Sequence, residues 1–282
     1  NPRAYPAQDF SQAWRNVIMY SEHTWGAHNS VSQPDVDFVK QQWQVKQAFA
    51  LDADRQSREL LARALGESNP GAAPAASRRV SGALDVFNTC SWERTGLVTL
   101  APELSSGGDR VVDSRGKPVP SQRLSTGELA FLAEKVPALA AKSYRVEAGR
   151  GSIKGEVHAE GASLRHPAFT LRLDESSGGI RSFESRAAGA DLVDAKAATA
   201  LNDYFYLPGA DLKDLQRNGR PRITVQENGP LVASLRIESD APGCRKLTRE
   251  VRVVNGLDHV EIVNTVDKLP LRTKEGLHFG YG

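Results

Sequence analysis

The spacing of apolar residues changes character part-way along the chain. From Asp9 to His23 the residues Phe10, Trp14, Val17 and Ile18 recur at helical intervals, which predicts an amphipathic helix. Gly26 to Gln33 reads as a loop. Pro34 then stands where its missing N–H costs nothing and opens a second helix. From Asp35 to Leu65 there is neither Pro nor Gly, and Phe38, Val39, Trp43, Val45, Phe49, Leu60, Leu61 and Leu65 make a broad apolar stripe that needs partner helices. Gly66 to Pro74 has the composition of a linker.

Beyond the linker the period shortens. Ala83–Asn88, Gly96–Leu100, Arg110–Asp113, Glu128–Ala133 and Ser143–Val146 read as short strands, with Asp113–Lys117 as a hairpin connection. Gly149 to Gly161 reads as a connector. Phe169–Leu173, Leu231–Ile237 and Lys246–Val254 then alternate cleanly, and Val260–Val266 does so less strictly. Period-two alternation means one buried and one wet face, as in antiparallel sandwiches. Helices first and strands afterwards predicts a multidomain α+β chain rather than βαβ units. Its parts are a helical region at 8–67 and two β domains, a small one at 80–147 and a larger one at 160–282.

Composition adds exclusions. The 282 residues are 40% hydrophobic and 25% charged, an ordinary globular balance. The 36 basic and 34 acidic residues are interspersed for a net charge of +2, which argues against a nucleic-acid surface. No apolar run approaches the roughly 20 residues needed to span a bilayer, so no membrane partner is expected and the chain reads as soluble. Cys90 and Cys244 are two free thiols or one long-range bridge. Two cysteines do not fix the compartment, cytoplasmic or periplasmic/secreted. Asn1–Pro6 is neither an initiator Met nor a signal peptide, and Leu277–Gly282 stops inside a strand, which suggests a piece of a longer protein.

Polar chemistry is concentrated in Tyr20-Ser21-Glu22-His23-Thr24-Trp25-Gly26-Ala27-His28-Asn29-Ser30, at the end of the first helix. On the residues alone, His23 is either a helix C-terminal histidine stabilised by the dipole or a ligand. Trp25 is either a ring stacked on a sugar face or a core anchor. His28 reads as a loop residue.

Four segments, in order and register, carry a resemblance. They are Ser21–Gly26; Val86-Phe87-Asn88-Thr89-Cys90-Ser91-Trp92-Glu93-Arg94-Thr95; Val112 to Gln122 with Phe131 and Val136-Pro137-Ala138; and Asn202-Asp203-Tyr204-Phe205-Tyr206-Leu207-Pro208 with Glu227-Asn228-Gly229-Pro230-Leu231. Together they resemble the middle helical domain and C-terminal β domains of a glycoside hydrolase family 38 α-mannosidase. The resemblance implies a helical bundle followed by sandwich and galactose-mutarotase-like supersandwich domains, and an N-terminal catalytic barrel as the missing partner. It implies zinc as the cofactor, an α-mannoside glycan as the substrate, and retention of configuration. His23 matches the family's helix-end zinc ligand. Glu22, Thr24, Trp25 and Tyr204 would line the substrate site. This sequence has Thr24 where many members have an acid. The nucleophile and the acid/base belong to the barrel, so no catalytic residue is assigned and the chain alone is expected to be inactive.

Other readings stand beside this one. The β domains could bind carbohydrate without chemistry, or bundle and sandwich could serve only as scaffold, which an exposed apolar bundle face would support. Tyr204 could equally pack on the sandwich. Trp92 reads as fixing a domain corner. His166, His259 and His278 with Glu261 and Glu275 form a scattered acid–base set. The mixed-sign run Asp211–Arg220 reads as a solvated loop.

Overall fold

The computed structural model describes residues 5–22, 28–65, 83–151, 155–194 and 196–281. The chain divides into two compact units, Asn1–Ser77 and Arg78–Gly282.

The first unit is a helical hairpin of α1 (Ala7–Tyr20) and α2 (Asp37–Ala64). Pairs along the antiparallel contact set its register. Arg63 Nη1 meets Asp9 Oδ2 at 2.6 Å, Asn16 Nδ2 donates to Gln56 Oε1 at 3.0 Å, and Lys46 Nζ meets Glu22 Oε2 at 2.7 Å. Helix α1 ends three residues short of the predicted His23. Ser21 has left the helical ψ, although its N–H still reaches Val17 O at 3.0 Å. The Lys46 ammonium covers the Met19 carbonyl at 3.1 Å, one of the orphan acceptors that every helix C-terminus leaves. Trp14, Ile18 and Leu61 each remain more than half exposed, so the hairpin buries only part of its apolar stripe.

The second unit is antiparallel β throughout. Its strands are β1 (Ala83–Asn88), β2 (Arg94–Leu100), β3 (Arg110–Asp113), β4 (Pro118–Val119), β5 (Ser121–Arg123), β6 (Leu129–Val136), β7 (Ala140–Glu147), β8 (His158–Glu160), β9 (Ser163–His166), β10 (Phe169–Leu173), β11 (Ile180–Ser185), β12 (Ala190–Asp191), β13 (Asp203–Pro208), β14 (Gln216–Arg217), β15 (Arg222–Asn228), β16 (Val232–Ser239), β17 (Cys244–Val254), β18 (Val260–Lys268) and β19 (Glu275–Gly280). The chain is therefore α+β in the predicted order, helices first and antiparallel sheets after.

Five sheets form, ordered β1-β7-β3-β4, β2-β6-β5, β12-β11-β10-β9-β8, β15-β16-β17-β18 and β14-β13-β19. The first two close on one core around Val111, Leu129, Phe131, Ala133 and Tyr144. The third and fourth close on another, where Leu164, Phe169, Leu171 and Ile180 face Ala233, Leu235, Ile237, Val251 and Val253. Strand β6 belongs to two cores at once. Leu129, Phe131, Ala133 and Val136 fill the small sandwich, while Ala130 and Leu132 pack with Leu231, Val232 and Val254 at one end of the large one. The two sandwiches thus share a buried layer.

Polar side chains reinforce that layer. The Gln122 amide enters the backbone of residues 229–232. Its Oε1 accepts from Leu231 N at 3.2 Å and Val232 N at 2.9 Å, and its Nε2 donates to Val232 O at 3.2 Å. Glu227 Oε1 accepts from the Ser125 N–H at 2.8 Å and its hydroxyl at 2.5 Å. Gly229 is obligatory beside this amide, because a Cβ there would collide with Cδ, Oε1 and Nε2 of Gln122.

Candidate functional site

The helix-end cluster is described as far as Glu22 and again from His28. His23, Thr24 and Trp25 lie outside the described residues. Glu22 is ion-paired with Lys46, both partly exposed, so the residue before His23 is tied to the middle of α2. On the far side of the gap, the His28 N–H donates to Gln42 Oε1 at 3.3 Å and so returns the loop to α2.

Tyr204 is only 1% exposed. Its hydroxyl donates to the Pro242 carbonyl and lies 3.2 Å from Cys244 Sγ. Its ring meets Phe279 edge-on at 5.8 Å. Burial, chiefly, pushes its phenol well above the ordinary value. Tyr204 therefore lies in the core under β13 with its hydroxyl engaged by the protein's own backbone, not held out to solvent as a sugar contact would be. The neighbouring Tyr206 donates to Glu275 Oε2 at 2.6 Å. Lys268 Nζ sits 2.5 Å from Glu275 Oε1, and this ammonium first of all holds the Glu275 carboxyl low.

The other recognised segments also resolve into fixings. Asn88 ties a corner: its Nδ2 donates to the carbonyls of Trp92, Val136 and Pro137 at 2.7, 3.0 and 3.1 Å, and its Oδ1 accepts from Cys90 N at 3.0 Å. The corner holds the Trp92 carbonyl, while the Trp92 side chain is largely exposed. Asp113 closes the β3–β4 turn by accepting from Arg115 N and Lys117 N, each at 2.9 Å. Those backbone N–H groups, that of Lys117 first, hold its carboxyl below the usual range.

Asn202 adopts a left-handed conformation, φ 66°, and exchanges amide hydrogen bonds with Asn264 at 3.0 and 2.7 Å. Asp203 is buried and accepts from Ser177 Oγ at 2.6 Å, Ala200 N at 2.9 Å and Arg217 Nη1 at 3.1 Å. Arg217 comes from the segment expected to be a solvated loop. Part of that run instead forms β14 against β13, with the Arg217 guanidinium 4.9 Å above the Phe205 ring.

Arg249, missed by sequence reasoning, completes this network. It is fully buried, donating from Nη1 to Asn202 O at 3.1 Å and from Nη2 to Ser177 O at 2.5 Å. Burial lowers its pKa to about 10, partly opposed by the Asp203 charge. The signal was available: Leu247, Arg249, Val251 and Val253 share one phase of β17, so a charge sits on the apolar face of a strand.

The scattered histidines do not form one site. His166 is buried against Phe169, centroids 4.4 Å apart, and its Nδ1 accepts from Ala168 N at 3.1 Å. Glu261 faces Arg252 at 3.5 Å, whereas His278 and Glu275 lie on β19 in another sheet. Cys90 and Cys244 are both free. Among the described residues no three His, Cys, Asp or Glu side chains converge as a metal would require, so the described part of the chain offers no zinc donor set by itself. Among them, too, no helix is long and apolar enough to cross a membrane. No family model matches the chain, and a search of curated proteins finds no relative.

Proposed function

We propose that this chain is the bundle and β-domain portion of a zinc-dependent, retaining α-mannosidase, with a small β-sandwich at 80–147 and a galactose-mutarotase-like supersandwich at 160–282. The observation that carries the reading is the anchored helix end. Glu22, the residue immediately before His23-Thr24-Trp25, is ion-paired with Lys46 of α2 at 2.7 Å. The order of the four recognised segments and the sequence of helices then antiparallel sheets agree with it.

In this reading His23 supplies one zinc ligand, and Glu22, Thr24 and Trp25 border the sugar. Tyr204 acts by holding β13. The nucleophile and acid/base, which a retaining glycosidase places about 5–5.5 Å apart, come from a barrel outside this chain. Zinc, when bound, would polarise and orient sugar hydroxyls.

The test is hydrolysis of an aryl α-mannoside by the parent protein, with the first-formed anomer read by NMR. The reading expects α-mannose from the parent and no turnover by the 282-residue chain alone. An inverted product, turnover by the chain alone, or a parent inert towards α-mannosides contradicts it.

A further inference from the structure

The small sandwich carries a cleft that the α-mannosidase reading does not use. Its volume is about 600 Å³, and it opens where the β3–β4 turn, the end of β6 and the start of β7 meet. Arg115, Lys117, Lys135 and Lys142 line it together with Asp113 and Glu134. Among the described residues none of these four cations has a carboxylate partner, whereas neighbouring arginines such as Arg110, Arg123 and Arg145 are all paired.

The frame that holds these groups is rigid. Asp113 locks the turn bearing Arg115 and Lys117. On β6 the pairing with β2 slips, so that Glu134 and Lys135 together stand opposite Thr95. This is a β-bulge, a device that re-aims side chains. Lys135 adopts φ 49°, uncommon for a residue with a side chain, and its N–H is held by Thr95 Oγ1 at 3.0 Å. Lys142 Nζ donates to the Glu134 carbonyl at 2.8 Å, which fixes the ammonium beside the bulge.

Tyr144 forms the floor. The residue is 3% exposed and lines the cleft, and among the described residues its hydroxyl has no hydrogen-bond partner. Its ring packs on Phe131 at 5.0 Å. Burial first, then the charges of Asp113 and Glu134, push its phenol up, so it is a neutral donor and acceptor at physiological pH. The ring is buried while the hydroxyl reaches the cleft, where it is free to bond a partner from outside.

We propose that this cleft binds an anionic saccharide, a short polyol chain bearing carboxylate, sulfate or phosphate groups. The unpaired cations match the anionic groups. The Tyr144 hydroxyl and the two carboxylates match sugar hydroxyls, and Pro118 and Val119 offer a surface for pyranose C–H faces. Asp113 and Glu134 would repel a continuous phosphodiester, which sets a discretely charged sugar apart from a nucleic acid. The proposal does not depend on the α-mannosidase reading.

Calorimetric titration of the full chain tests it, with trisaccharide probes that are uronate, sulfated, phosphorylated or neutral, and with inorganic phosphate. At least one charged trisaccharide is expected to saturate a single site and to bind about tenfold or more tighter than the neutral one or phosphate. Tyr144→Phe, which removes only the unpartnered hydroxyl, is expected to weaken binding about three- to tenfold with the melting temperature unchanged. Lys117→Gln combined with Lys135→Gln is expected to weaken it further and flatten its salt dependence. Failure of all the charged trisaccharides to saturate overturns the proposal. So does binding that both variants leave intact, and so does phosphate or the neutral trisaccharide binding as tightly.

Discussion

Replacing Gly229 by Ala tests the joint between the two sandwiches. The new Cβ would occupy the space of the Gln122 amide, so Gln122 must withdraw from the 229–232 backbone. Withdrawal strips the N–H groups of Leu231 and Val232 of the bonds measured at 3.2 and 2.9 Å, in residues with no solvent exposure. A buried backbone donor left unmade costs about 1–3 kcal/mol, so the pair is worth roughly 2–5 kcal/mol. Gln122→Ala removes the same partners and is expected to cost about as much. The two changes act on one contact, so the double variant should cost little more than either change alone. Urea unfolding followed by circular dichroism at the β-sheet band reads the second unit. A Gly229→Ala variant within about 0.5 kcal/mol of the parent, or effects that simply add, refutes the interlock.

Other outcomes follow from single fixings. Asn88→Ala removes three donated bonds and one accepted bond and should destabilise the second unit by about 2–4 kcal/mol in the same assay. Asp203→Ala should cost about 2–4 kcal/mol, because it strips the Ser177 hydroxyl and the Ala200 N–H of their acceptor; Arg217→Ala, at a half-exposed guanidinium, should cost under about 1 kcal/mol. His166 is held neutral: burial lowers its pKa against the favourable Val254 backbone and Asp258, with Arg186 and His259 adding to the lowering. A group whose folded pKa is depressed gives its full stability above the unfolded value, here 6.5, and loses it as pH falls through the folded value. Melting temperatures of the native protein should therefore drop below about pH 6.5, and His166→Phe should flatten that drop; parallel pH profiles for the two would contradict the assignment.

The sequence was most readable where one face of an element is wet. Phe169–Leu173, whose inward residues alternate with more exposed ones, forms over the residues that its pattern marks. Strand β6 runs past its predicted end at Ala133, because both of its faces are buried and a bulge at Glu134 and Lys135 interrupts its period. The recognised segments were legible as important but not as to why. Asn88, Asp113, Gln122, Glu227 and Asp203 hold corners and joints, and the partner of each lies across a turn or in a distant strand that no local pattern names. Arg217 was misplaced for the same reason: a charged residue in a polar run gives no sign that Asp203 waits for it in a sheet. Beyond the helix end at Tyr20, one orphan carbonyl, that of Met19, is capped by Lys46, more than twenty residues away and invisible to any local pattern.

The central claim is the proposal that His23, which follows the Glu22–Lys46 pair in sequence, is a zinc ligand. The most direct measurement is the zinc content and aryl α-mannosidase rate of the parent protein, compared with its His23→Ala variant by elemental analysis after gel filtration. The account predicts about one zinc per parent chain, with both zinc and activity lost in the variant while the melting temperature holds. A variant that retains its zinc and its rate would contradict the claim and leave His23 an ordinary residue at a helix end.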